Sequence, residues 1–320
     1  MNEPLLFDQE SLFAAIGSDG EEIHLRHFRP HQEARAVVLM IHGAIENGRI
    51  FYSKKGDKGF APFLANAGFE VLVADLRGRG RSRPHVNRHS KFDQTDAICE
   101  DLTVMGKALT DIARGRPQHW VAHSWGGVLI AAHLLRFPER IPGIQSIVCF
   151  GTKRSISVQN LSKFVGVDVV WNRAAKLAAA VYGYLPAKKL GMGSDDESRA
   201  SHAQSVLWVK SEKAWIDPID HFDYGAAAET NKLPLTLHLA GARDAYLGHP
   251  VDVARFAKEC RLPEDSVYLL SKTNGHLSDY GHIEMLTDPR AVDDHFPLVV
   301  SWLSGNKDAF KAESVSSQRS

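Results

Sequence analysis

Along the chain, short apolar runs rich in β-branched residues alternate with longer stretches of helical periodicity, the pattern of a mostly parallel sheet covered by helices on both faces. Ala36–Ile41 (AVVLMI) is apolar at every position, as a strand buried on both sides must be. Phe69–Asp75 (FEVLVAD), residues 120–123, 144–150 and 235–240 repeat that type, and Val267–Leu270 would be the last strand. Residues 23–28 alternate apolar and polar instead, which suits an antiparallel edge strand. Between these runs, helical spacing marks residues 60–67, 94–113, 252–260 and 291–303, and Trp125–Arg136 follows its strand with no polar gap.

One region breaks the rhythm. From 151 to 232 no buried strand is evident, while Trp171, Leu177, Val181, Tyr182 and Leu185 sit near helical spacing and Val206, Leu207 and Trp215 follow. Because this block lies between two sheet strands, it reads as an inserted helical cap. Trp171, Trp208 and Trp215 fall within it, and a cap with an apolar underside suits an apolar substrate. The expected division is therefore a doubly wound α/β core over 1–150 and 233–305, a cap over 151–232, and a solvated, disordered tail over 306–320.

Composition narrows the picture modestly. The 320 residues are 44% hydrophobic and 24% charged, and the formal net charge is zero. No global field therefore favours nucleic acid or an anionic membrane. The N-terminus lacks the basic start and apolar core of a signal peptide, and no apolar run approaches the length of a membrane span. The three cysteines, Cys99, Cys149 and Cys260, lie in apolar segments without a CxxC pair and read as reduced core residues. Together these features predict a cytoplasmic protein without stable membrane anchoring, acting on a small molecule; oligomeric state is left open.

Candidate chemistry is concentrated at a few strand ends. In VAHSWGG (121–127) an apolar strand turns abruptly into a helix. A serine in so tight a turn takes a strained backbone conformation and projects its Oγ clear of the sheet, provided small residues flank it at two positions on either side. Ala122 and Gly126 meet that need, giving A-x-S-x-G. Ser124 is the candidate nucleophile; the alternative is a buried serine in a plain turn. His42-Gly43-Ala44 follows the buried strand AVVLMI, and the N–H groups of Ala44 and Trp125 are the candidate oxyanion donors.

A serine hydroxyl needs a base. Of sixteen histidines, His85 and His89 belong to a basic loop, and two late in the chain qualify, His276 in NGHLSD and His282 in DYGHIEML. His282 is preferred because a long amphipathic helix follows soon after it, leaving His276 to anchor a loop or line a pocket. The acid should follow the preceding strand. Asp244 in LTLHLAGARDAYLG holds that place, with Asp223 and Asp279 as fallbacks. DLRGRGRS (75–82) lacks the third glycine of a phosphate loop and reads as a turn in which Asp75 and Arg77 brace neighbouring loops. No His or Cys pair has metal-ligand spacing, so neither metal nor cofactor is expected.

HGA, DLRGRGRS, AHSWGG, GARD and DYGHIEML, in this order, resemble the α/β-hydrolase superfamily from about residue 23 to residue 303, with DYGHIEML similar to its serine esterase and lipase branch. The resemblance implies Ser124, Asp244 and His282 as triad and Ala44 and Trp125 as oxyanion hole. The departure is Ala122, where glycine is commoner. A serine at the turn argues against dehalogenase and epoxide hydrolase chemistry, which uses aspartate there in similar proteins. The expected activity is hydrolysis of a carboxylic ester with an apolar, small or medium-chain acyl group. Acyl transfer, thioester or C–C bond cleavage, and a non-catalytic ligand-binding module are the alternatives.

Overall fold

A computed structural model describes residues 5–17, 20–211 and 214–310. Eight strands form one sheet: β1 (Phe7–Ile16), β2 (Glu21–Pro30), β3 (Ala36–Ile41), β4 (Phe69–Asp75), β5 (Gln118–His123), β6 (Ser146–Phe150), β7 (Leu235–Gly241) and β8 (Val267–Leu270). Their order is β1-β2-β4-β3-β5-β6-β7-β8. The last six are mutually parallel, while β2 is antiparallel to both β1 and β4. β1 was not anticipated. It pairs over its whole length with β2, from Phe7 opposite Pro30 to Ile16 opposite Glu21.

Side-chain alternation along the central strands builds two cores. Val37, Leu39 and Ile41 point to one face and pack with helices α2 (Leu102–Ala113), α3 (Trp125–Arg136) and α5 (Pro250–Glu259). Val38 and Met40 point to the other, against α1 (Phe60–Asn66) and α6 (His295–Leu303). Helix α4 (Arg199–Lys210) lies in the segment between β6 and β7, the stretch expected to form the cap. The helical stretch leading into α2 begins at Gln94 with a reciprocal capping box between Asp93 and Asp96. Among the described residues, no helix is long and apolar enough to cross a membrane.

Between β6 and β7 the chain leaves the sheet for helices at Phe164–Ala175, Lys176–Tyr182, α4 and Tyr224–Thr230, with a two-residue ladder joining Tyr184–Leu185 to Glu197–Ser198. The expected inward stripe is corrected in part. Leu177 and Val181 are exposed, and the buried face of that helix is Ala175 and Ala179, packed with Trp171 and Leu185. Small side chains let the helix approach its support closely, and the large ones turn outward. Polar ties fasten this segment to the core. Arg154, fully buried, donates to the carbonyls of Trp208 and Ser211 and pairs with Glu259 of α5. Arg79 pairs with Glu197 at 3.0 Å.

Of the solvated tail expected from residue 306, the described part ends packed on the core. Phe310 is buried against Tyr268, because β8 leaves an apolar edge that the chain end covers. Residues 311–320 lie outside the described part.

Candidate active site

The carboxyl ends of the parallel strands gather the candidate residues, where open α/β sheets bind their ligands. Ser124 follows β5 directly and holds φ +52° and ψ −123°, a region that a side chain enters only under strain. Its N–H donates to the Phe150 carbonyl at 2.7 Å, and Thr152 Oγ1 donates to its carbonyl at 2.9 Å. The turn is as tight as its sequence implies. A Cβ on Gly126 would stand 2.5 Å from the Ile41 carbonyl oxygen, and one on Gly43 would stand 2.9 Å from Ser124 Cβ. Ala122, buried between Ile41 and Cys149, fits without displacing either neighbour.

His282 lies on the loop after β8 and Asp244 on the loop after β7, and they meet at 2.6 Å between Nδ1 and Oδ2. The carboxylate can only accept, so Nδ1 carries the proton and Nε2 is left unprotonated. Burial pushes the His282 pKa below the ordinary 6.5, only partly offset by the hydrogen bond to Asp244. For Asp244, burial works upward, but the His282 hydrogen bond and the N–H groups of Gly248 and Tyr246 hold it below the usual carboxylate value. A neutral base and an ionised acid result. Ser124 and His282 line one cavity of about 750 Å³, together with Ala44 and Trp125. Of the two hydrogen bonds a triad needs, those of the described residues include His282–Asp244 but not Ser124–His282.

His276 is placed elsewhere. It donates to Asp294, which also accepts from Leu277 N–H and from the Tyr280 hydroxyl. It therefore anchors the loop that carries His282 and does not line the cavity. Asp223 caps the helix Tyr224–Thr230, and Asp279 accepts from Lys272 N–H, so neither fallback acid reaches His282. His276, Asp294 and His295 are the described residues that could share a metal ion, with ligand atoms within 4.8 Å of one another. Asp294 already accepts three hydrogen bonds there, and none of the three residues lines the cavity.

The loop after β3, which carries Ala44, is braced by residues that sequence reasoning passed over. Glu46 accepts from Gly43 N–H at 2.9 Å and meets His123 Nδ1 at 2.8 Å. His123 Nε2 meets the His282 carbonyl at 3.2 Å. With acceptors at both ring nitrogens, His123 must be doubly protonated. Burial works against that charge, but Glu46 overrides it and raises the His123 pKa. Burial likewise opposes ionisation of Glu46, yet the charge of His123 leads in lowering its pKa to about 2. This buried ion pair ties the loop of Gly43 and Ala44 to the loop that carries His282. His42 takes the opposite form. Its Nε2 accepts from Leu76 N–H and its Nδ1 donates to the Gly43 carbonyl, so it stays neutral. Asp75 and Arg77 brace their surroundings as expected, Asp75 against His24 and Gly48 N–H, Arg77 against Asp101 and Glu21.

The cap presses on the same loop. Ile45 has φ +48°, an unusual strain for a β-branched residue, and its carbonyl accepts from Asp195 N–H at 3.1 Å. Gly193 lies so close that a Cβ there would stand 2.3 Å from the Ile45 carbonyl oxygen. Gly193→Ala is thus expected to shift the loop bearing Ala44 and lower kcat by about a hundredfold, the scale of a misplaced catalytic group. Steady-state kinetics against an unchanged circular dichroism spectrum would check this. A rate within twofold of the parent would separate Gly193 from the loop.

Residues 36–182 match the family model described as alpha/beta hydrolase fold. The mostly parallel eight-stranded sheet with helices on both faces agrees with it. The chain has the α/β-hydrolase fold. A structure of a soluble variant of monoglyceride lipase from Saccharomyces cerevisiae, 17% identical, aligns over 94% of this chain and 98% of that chain with a TM-score of 0.59. Bifunctional epoxide hydrolase 2 of Sus scrofa is 34% identical over 89 residues, which is 27% of this chain and 14% of that one. A lysophospholipase of Escherichia coli is 29% identical over 127 residues, 38% of this chain and 34% of that one. These matches span well under half the length of the two relatives.

Proposed function

We propose that this chain is a serine hydrolase of carboxylic esters with an apolar, small or medium-chain acyl group. The observation that carries the reading is a strained serine and a neutral, carboxylate-anchored histidine opening on one cavity. His282 Nε2 takes the Ser124 proton as Oγ attacks the ester carbonyl. The N–H groups of Ala44 and Trp125 hold the developing oxyanion, the latter free because it opens helix α3. His282 then protonates the leaving alcohol, and water, deprotonated by the same imidazole, releases the acid from Ser124. Val167, Val170 and Met192 on the cap side of the cavity suit an apolar acyl chain.

Acyl transfer, thioester hydrolysis and C–C bond cleavage use the same constellation, and a product screen with competing alcohols, thiols and water separates them. A fluorophosphonate probe tests the reading directly. Label is expected on Ser124 and not in His282→Ala, whereas a folded, unlabelled parent would favour a non-catalytic binding module. The pH profile gives an independent check. Because the lowered pKa of His282 keeps it neutral, activity is expected to persist at pH 6.5 and to fall only as pH drops through that lower value. An acid limb in kcat/KM centred above 6.5 would contradict this.

A further inference from the structure

The cavity contains a charge that the triad does not use. Lys153 is the third residue after β6, and its two predecessors pack on the reacting groups. A Cβ on Gly151 would stand 2.8 Å from His282 Nδ1, and Thr152 holds the Ser124 carbonyl. Lys153 then enters the cavity wall with its Nζ 5.9 Å from the Trp125 ring centroid. Only 8% of the residue is exposed, and among the described residues no carboxylate lies within ion-pair distance. The carboxylates of Asp244 and Asp252 act on its charge only from beyond ion-pair distance, Asp244 hydrogen-bonded to His282 and Asp252 to Ser157. Burial pushes its pKa down to about 8, which still leaves the ammonium charged at neutral pH.

A buried cation with no anion in direct contact is poorly compensated, and a ligand that brings an anion to it is held there. Nearby cavity residues such as Ile156, Val209 and Tyr246 offer no such charge. Glu46, the one carboxylate lining the cavity among the described residues, is committed to His123. We propose that Lys153 binds an anionic group, carboxylate or phosphate, carried by the substrate whose ester Ser124 attacks. The substrate class is therefore an amphiphile, with an apolar chain under the cap and a negative group beside Trp125. This rests on the hydrolase reading above and narrows it.

The test uses methyl esters from butanoate to decanoate, each neutral, ω-carboxylated or ω-phosphorylated. At the best length, the parent is expected to favour an anionic ester over its neutral counterpart by tenfold or more in kcat/KM. Lys153→Met should shrink that ratio by about ten- to a hundredfold, mainly through KM, and Lys153→Arg should retain most of it. A lysine-dependent preference for the carboxylate alone or the phosphate alone assigns the natural anion, and either supports the proposal. A ratio that Lys153→Met changes less than twofold at every length overturns it, as does an equal loss on neutral and anionic esters. Fluorophosphonate labelling of Ser124 in the same samples keeps the two readings apart. Labelling with an unchanged ratio sinks only the role of Lys153. Absent labelling sinks the hydrolase, and calorimetry of octanoate and octanedioate on Ser124→Ala protein, with and without Lys153→Met, then decides whether the lysine binds anions.

Discussion

Ser124→Ala is expected to lower ester turnover by about a millionfold, and His282→Ala by a similar factor, because either change removes the same proton-transfer unit. Combining them should cost little more than either alone. Asp244→Asn should cost about ten-thousandfold, for a reason that lies in the hydrogen-bond sense. Asp244 accepts from His282 Nδ1–H and so leaves Nε2 free. An amide there can instead donate to Nδ1, which moves the proton to Nε2 and blocks the base. Ser124→Ala should leave the melting temperature nearly unchanged, since the strained turn is held by the Ser124 backbone bonds to Phe150 and Thr152 and by Gly126. Retention of more than a hundredth of the parent rate in Ser124→Ala, with contaminating esterase excluded by active-site titration, would end the serine mechanism.

Much of this arrangement was legible because local signals carry it. AVVLMI is apolar throughout because β3 is covered on both faces, and AHSWGG needs small residues because the backbone of Ile41 and His42 crosses directly above. β1 was harder to read. FDQESLFAAI places acids and Phe13 on an exposed edge, so neither continuous apolarity nor clean alternation marks it. Glu46 and His123 stand 77 residues apart in sequence, and no local pattern pairs them. Lys153 looks like any loop lysine until β6 and the cap enclose it. The cap itself misled through its exposed Leu177 and Val181, whose helical spacing records a surface and not a core. Local chemistry is written locally; long-range charge pairing is not.

Arg79→Met is expected to destabilise the protein by about 3–5 kcal/mol, the cost of leaving a buried partner without its counter-charge. Arg79 and Glu197 are both buried, and their 3.0 Å contact joins the turn after β4 to the base of the cap. Glu197 also accepts from Gln94 and Ser201, so it has a fixed position and no route to water. For a chain of this size the loss corresponds to a fall of roughly 5–7 °C in Tm, read by calorimetry. Neutralising the acid as well, in Arg79→Met with Glu197→Gln, should restore most of that stability, because no uncompensated charge remains. Activity should not return with it. Arg79 Nη1 donates to the Gly43 carbonyl at 3.2 Å, the carbonyl of the same peptide group whose N–H is the proposed oxyanion donor of Ala44, and the double variant still lacks that contact. If the two changes together destabilise as much as Arg79→Met alone, the loss comes from packing and not from charge. If activity recovers along with stability, the cap controls the oxyanion loop through Ile45 and Gly193 alone, and Arg79 only fastens the cap.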